Sequence, residues 1–286
     1  PFSFWLVSIF LIAGMHELAH GIISRRYNVK VKSSGFAFMG VILPFLPAAF
    51  VEPDDKQLEK KPRMQQLSMF SSGAFINIVF AFIVLLLVIP ITGTFARSLE
   101  TQDGIIIKDV SEGPLKTAGV LPKEVITGVD GKAANTVEDF FKLTAEKKPG
   151  DNLLLRTRSA LCPDGSSHCS AERNITLAAK KGSDKVSFGI SVLQSIALKE
   201  GIAEKYGTFL PNMALWVNRL AFWLYVLSFG IGLFNLVPFG PFDGGKMFLL
   251  ALNRFFKKKH ATNIWIWTTI FFIALLVANV AIGWLR

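Results

Sequence analysis

The stretch FSFWLVSIFLIAGMHELAHGII, residues 2–23, decides how this chain is read. It carries no charge before Glu17, and roughly 20 apolar residues are what a helix needs to cross about 30 Å of hydrocarbon. Near its end, His16, Glu17, Leu18, Ala19 and His20 form an HExxH pattern. Residues four apart share a helix face, so the two imidazoles stand one turn apart with a carboxylate beside them, as a hydrolytic zinc requires. An ionisable group inside a bilayer costs about 3 kcal/mol and is kept for a purpose. The segment therefore predicts a metal site submerged in a membrane.

Composition agrees. Of 286 residues, 51% are hydrophobic and 26 are Phe, and the mean hydropathy of +0.43 is too high for an ordinary soluble domain. Residues 67–96, 221–242 and 261–285 are also uncharged and long enough to span, giving about four spans. The net charge of +10 gathers beside them, at Arg25-Arg26, Lys60-Lys61-Arg63 and Lys257-Lys258-Lys259. That is the positive-inside pattern, which reports orientation and anionic lipid. No basic stripe interleaved with stacking aromatics accompanies it, so a nucleic-acid partner is excluded. Arg25 and Arg26 assign the end of the first span, and with it HELAH, to the cytoplasmic side. The chain opens on Pro1 without Met, which reads as a core whose natural N-terminus lies upstream.

Residues 33–51 are uncharged but punctuated by Gly35, Gly40, Pro44 and Pro47. Such a stretch predicts a membrane-dipping hairpin rather than a straight helix. Residues 52–63 are a charged linker with a Pro53-Asp54-Asp55 turn signal, and 64–91 return outward. Residues 101–194 change character, with short alternating runs rich in Lys and Glu. They predict strands at 103–110, 125–129, 152–158 and 174–178, a Ser111-Glu112-Gly113-Pro114 turn, an Asp130-Gly131 hairpin turn and an amphipathic helix at 136–145. About 90 residues suffice for one small soluble domain. The expected organisation is a first membrane half at 1–98, an extracytoplasmic domain at 99–196 and a second membrane half at 197–286.

Cys162 and Cys169, with His168 between them, fall in that middle domain. Two free thiols, or a metal site with His168, are the alternatives. The extracytoplasmic placement, where thiols oxidise, favours a disulfide.

The middle domain resembles a PDZ domain of the kind found in membrane and periplasmic proteases. The residues that carry the likeness are Gly104-Ile105-Ile106-Ile107, Pro114 with Ala118-Gly119-Val120, Val125-Ile126 with Val129-Asp130-Gly131, Asp139-Phe140, and Pro149-Gly150-Asp151. The Gly-Asp pair usual before the Val-Ile strand is replaced here by Pro122-Lys123-Glu124.

A hydrolytic zinc takes three protein ligands and leaves a position for water. His168 and His260 read as solvated surface residues. Asp243 follows the uncharged run 221–242 and opens Asp243-Gly244-Gly245, and it reads either as a buried ligand or as the N-cap of the helix after it. Pro238, Gly240 and Pro241 break the preceding helix, which predicts extended backbone able to pair with another strand.

HExxH in the first span, Asn235-Leu236-Val237-Pro238 through Asp243-Gly244 in the third, and a PDZ-like insert between the second and third together resemble the site-2 protease family of intramembrane zinc metalloproteases, peptidase family M50. The resemblance implies a polytopic α-helical membrane protein with about four core helices, a membrane-associated hairpin and a small inserted α/β domain. It implies one zinc ion held by His16, His20 and Asp243, with Glu17 as general base. Asn77 matches the family's second-span motif, with Ala74 in place of Pro, and Asn77 and Asn235 are candidates for holding substrate backbone or the oxyanion. An interhelical hydrogen bond is the alternative for each.

The implied activity is hydrolysis of peptide bonds within transmembrane segments of single-pass proteins already trimmed by another protease. A membrane helix bonds its own backbone, so it must be unwound before attack; the hairpin at 33–51 offers an edge strand for that. Competing readings are a noncatalytic membrane adaptor displaying a PDZ domain, and a metal transporter. Glu17, at the position of a general base, favours the enzyme.

Overall fold

The computed structural model describes residues 2–39, 46–159, 170–179, 186–199, 201–240 and 242–284. The HExxH segment is a single helix, α1 (Phe2–Arg26). Arg25 and Arg26 lie in its last turn, where cations complement the carbonyl end of the helix dipole. Asn28 then takes a left-handed φ of 52°, and Val29 N–H reaches back to Ser24 C=O at 2.8 Å while Asn28 N–H reaches Arg25 C=O at 3.1 Å. This is the Schellman stop, with Asn in the place usually held by glycine.

The expected hairpin is present. Strands β1 (Val31–Met39) and β2 (Leu46–Pro53) pair antiparallel, with Ser34 opposite Val51 and Phe36 opposite Ala49, and β2 packs along α1. The turn signal after it proves to be a helix start. Asp54 accepts from Lys56 N–H at 3.0 Å and Gln57 N–H at 3.3 Å, capping α2 (Asp55–Glu59).

Helix α3 (Arg63–Ile83) runs through a π-turn (Val84–Val88) into α4 (Ile89–Leu99), 37 residues without interruption. At 1.5 Å per residue this rod is about 55 Å long, well beyond the hydrocarbon thickness. The π-turn sits just before Pro90, where the ring removes a backbone donor and the ladder must widen.

The chain divides into two compact units, Pro1–Phe95 with Met213–Arg286, and Ala96–Asn212. The second unit contains β3 (Glu100–Val110), α5 (Pro114–Thr117), β4 (Glu124–Val129), β5 (Lys132–Ala133), α6 (Val137–Thr144), β6 (Asn152–Ser159), β7 (Ser170–Thr176), β8 (Ala178–Ala179), β9 (Val186–Ser187), β10 (Ile190–Leu198) and α7 (Ile202–Tyr206). Its main sheet runs β10-β3-β4-β6-β7, with β5 paired to β4. Ile105, Ile107, Ile126, Leu153, Leu155 and Phe140 form its buried centre.

Asp130 and Gly131 both adopt positive φ in the β4–β5 turn, as a two-residue hairpin loop demands. The Lys147 ammonium, 2.7 Å from Asp130, holds that carboxyl below the usual carboxylate range. Thr136 and Asp139 form a reciprocal capping box at the start of α6. Lys123, in the Pro122-Lys123-Glu124 stretch that leads into β4, takes φ 72°, a conformation that costs a side-chain-bearing residue about 1 kcal/mol or more. Cys162, Cys169 and His168 lie outside the described residues.

The membrane unit resumes in α8 (Phe209–Phe234), followed by α9 (Asp243–Phe255) and α10 (Lys258–Trp284). Pro211 is accommodated in the first turn of α8, where no intrahelical donor is lost. The backbone after Phe234 is not extended. Leu236 N–H bonds Leu233 C=O at 3.0 Å, Val237 N–H bonds Phe234 C=O at 3.1 Å, and Gly244 N–H bonds Asn235 C=O at 2.7 Å. The prolines end the helix, but its last carbonyls are consumed by a compact turn rather than offered to another strand.

Among the described residues, four helices are long and apolar enough to cross a bilayer: Phe2–Arg26, Arg63–Leu99, Phe209–Phe234 and Lys258–Trp284. They expose large apolar side chains such as Phe82, Leu86, Phe222, Phe271 and Val277, as lipid-facing surfaces do and water-facing ones rarely do. The protein is a polytopic helical membrane protein with an inserted, PDZ-like β domain.

Candidate metal centre

Three helices build the site. Helix α3 packs against both α1 and α9, so α1 brings His16 and His20, α9 brings Asp243, and α3 lies behind them. His16 Nε2, His20 Nε2 and Asp243 Oδ2 are mutually 3.2 Å apart. Asp243 is buried in the first turn of α9, whose N-cap is Phe242 with no side-chain cap bond. Its carboxylate thus faces the histidines rather than capping its own helix.

The tight turn before α9 makes that approach possible. A Cβ on Gly244 would strike the Leu236 and Val237 carbonyls, and one on Gly245 would strike the backbone of Phe239 and Gly240. The Gly-Gly pair is what lets residues 235–240 fold down over the helix start. Lys246 lies one turn on, 3.9 Å from Asp243 Oδ1.

Tautomers decide what the site can hold. His20 Nδ1 is 2.9 Å from the Met69 carbonyl, which can only accept, so Nδ1 carries the proton and Nε2 of a neutral ring presents a lone pair. That nitrogen faces a carboxylate oxygen at 3.2 Å, an arrangement made favourable by a proton on Nε2 or by a metal cation between the two. A zinc ion with ligand bonds of about 2.0–2.2 Å spaces its tetrahedral donors roughly 3.3–3.6 Å apart. The donor set fits zinc in chemistry and nearly in spacing.

Other expected residues fall in different places. Glu17 is half-buried, and its Oε2 accepts the Val51 N–H of β2 at 2.8 Å. Asn77 is fully buried, with Nδ2 3.2 Å from His16 Nδ1. Asn235 does not join the cluster, since its Nδ2 donates back to Ile231 C=O at 3.0 Å. Three participants escape the sequence reading. Besides the Met69 carbonyl, Ser72 Oγ lies 3.1 Å from His20 Nδ1, and Gly73 lies against both rings, where a Cβ would come within 2.6 Å of His20 Nε2. Gly73 precedes Asn77 by four residues, one helical turn, which is the sequence signal that could have found it.

Fold and site define a class: an integral-membrane protein in which two separate helices bring together a His-His-Asp group able to hold a metal ion. The family model for peptidase family M50 matches residues 4–278. The chain belongs to that family, and membership implies zinc.

Among curated proteins, it is 30% identical over 246 residues to the uncharacterised MJ0971 of Methanocaldococcus jannaschii, covering 84% of this chain and 54% of that protein. It is 24% identical to a zinc metalloprotease candidate of Clostridium perfringens, CPE1693, covering 90% and 89%. The zinc metalloprotease RasP of Shouchella clausii is 22% identical, covering 71% and 54%. The chain thus spans about half the length of MJ0971 and of RasP. Among solved structures, the PDZ domain of the SdrC-like protein Lmo2051 from Listeria monocytogenes is 25% identical, covering 32% of this chain and 90% of that domain with a TM-score of 0.27.

Proposed function

We propose that the protein is a zinc endopeptidase that cuts peptide bonds within transmembrane segments, with His16, His20 and Asp243 as ligands of one zinc ion and Glu17 as general base. The observation that carries the reading is the mutual 3.2 Å convergence of the three donor atoms within membrane-crossing and adjoining helices. Zinc, when bound, supplies a Lewis acid that acidifies a water and polarises a peptide carbonyl. The chain's own residues do the rest. Glu17 is half-engaged, since Oε2 takes the Val51 N–H and Oε1 has no hydrogen bond among the described residues. Oε1 accepts the proton of the attacking water and returns it to the leaving amine nitrogen.

Charge supports an orientation. Arg25-Arg26, Lys60-Lys61-Arg63 and Lys257-Lys258-Lys259 all flank helix ends that the up-and-down connectivity assigns to one side. By the positive-inside rule that side is cytoplasmic. Asp243, at the start of α9 beyond the α8 terminus, then lies toward the cytoplasm, and the PDZ-like domain between α4 and α8 lies outside. That domain screens single-pass substrates already shortened by a first cut.

The hairpin's open edge belongs to β1. Because Val51 N–H points to Glu17 rather than to Ser34, the alternation of an antiparallel ladder turns the amides of Phe36 and Phe38 to the outer edge of β1. An unwound substrate segment can add there as a strand. Phe36→Pro and Phe38→Pro each delete one outward donor, and each lowers cleavage about tenfold, the cost of roughly one hydrogen bond, with zinc content unchanged. Normal cleavage in both variants would remove the hairpin from substrate binding.

The test of the whole reading compares wild type with Asp243→Ala in detergent. Wild type holds one zinc per chain and releases peptides from a model membrane helix, and the variant does neither. An adaptor would bind no zinc. A transporter would move metal into sealed vesicles without releasing peptides, and either result ends the proposal.

A further inference from the structure

We infer that Asn77 is a positioning residue for His16, accepting the Nδ1 proton so that Nε2 is held as a lone pair for the metal. The inference rests on the zinc reading proposed above, and it moves Asn77 from substrate binding to the support of a ligand.

Asn77 has no exposed surface, and Oδ1 is buried without a partner among the described residues. A buried carboxamide oxygen left unpaired costs about 1–3 kcal/mol, and in this orientation the carboxamide faces His16 with its donor and not its acceptor. Nδ2, 3.2 Å from His16 Nδ1, could donate only if Nδ1 were unprotonated. The proton of His16 would then sit on Nε2, facing His20 Nε2 and Asp243 Oδ2, where the site needs a lone pair. A half-turn of the carboxamide exchanges oxygen and nitrogen in nearly the same volume. Oδ1 then receives Nδ1–H, and Nε2 is free to bind metal.

The neighbouring ligand shows the same arrangement already made. His20 Nδ1 meets the Met69 carbonyl at 2.9 Å. Met69 and Asn77 stand eight residues apart on one face of α3, about 12 Å along its axis, with Gly73 between them. Helix α3 gives no ligand of its own, yet it supplies the acceptor behind each histidine. Outer acceptors of this kind fix the tautomer and ring angle of metal-bound histidines.

The experiment uses the full chain in detergent, stripped of metal, and measures zinc affinity by chelator competition and the visible spectrum of the cobalt(II) form. Asn77→Leu weakens zinc 10–100-fold and shifts the cobalt bands, whereas Asn77→Asp, which keeps an acceptor, binds at least as tightly as wild type. Wild-type affinity in Asn77→Leu overturns the inference, and so does an Asn77→Asp as weak as Asn77→Leu. Should Asn77→Leu not fold, Asn77→Asp alone decides, tight binding supporting the role and weak binding ending it. His16→Ala separates the two levels. If it too keeps wild-type affinity, the metal site is misplaced and both readings fall; if it alone loses zinc, only the positioning role is lost.

Discussion

Glu17→Gln leaves zinc in place and lowers cleavage of a model membrane helix by about 10²–10⁴-fold, the usual contribution of a general base. The substitution is nearly isosteric, and the amide oxygen of Gln can still accept the Val51 N–H that Glu17 Oε2 accepts at 2.8 Å. The packing of β2 against α1 is therefore preserved, and the three donor atoms, none of which belongs to residue 17, keep their places. Only the capacity to take a proton is gone. Zinc measured by atomic absorption should match wild type while mass spectrometry finds no new peptides. Cleavage at the wild-type rate would remove Glu17 from the chemistry, and simultaneous loss of zinc would mean that it supports the metal instead. An adaptor or a transporter has no use for a proton acceptor there and would tolerate the change.

The converging side chains are all visible in the sequence, because an ionisable residue in an apolar run stands out by type alone. His16 and His20 show by their spacing and Asp243 by its position after an uncharged run. What surrounds them is not visible. The acceptor for His20 is the Met69 carbonyl, a backbone group that every residue carries, and its use depends on how far α3 slides along α1, which no local pattern encodes. The same blindness affects residues 235–240. Two prolines and a glycine announce a break in α8 but not its geometry, and the compact turn exists because Gly244 and Gly245 let the chain return over its own next helix.

In the inserted domain, the Asp130-Gly131 turn and the capping box at Thr136 are legible from local chemistry. Strand β10 (Ile190–Leu198) is not. It owes its existence to pairing with β3, some 90 residues earlier, and sequence reading sees only short-range order.

Gly73→Ala abolishes stoichiometric zinc binding and cleavage without disturbing membrane insertion. The usual expectation runs the other way, since alanine in a helix interior is favoured over glycine by about 1 kcal/mol. Here the added Cβ would lie 2.6 Å from His20 Nε2 and closer still to the His16 ring. Two escapes are open, and both spoil the site. Rotating the imidazoles away separates the Nε2 atoms, now 3.2 Å apart, from each other and from Asp243. Pushing α1 off α3 stretches the Met69–His20 contact of 2.9 Å and the Asn77–His16 contact of 3.2 Å, which orient the same rings. Gly14→Ala on α1, where a Cβ meets nothing within 4 Å, is the control and keeps both zinc and activity. Helicity by circular dichroism should be unchanged in either variant. A Gly73→Ala protein that binds one zinc with wild-type affinity would show that α3 does not press on the histidines, and the account of a metal centre backed by that helix would have to be given up.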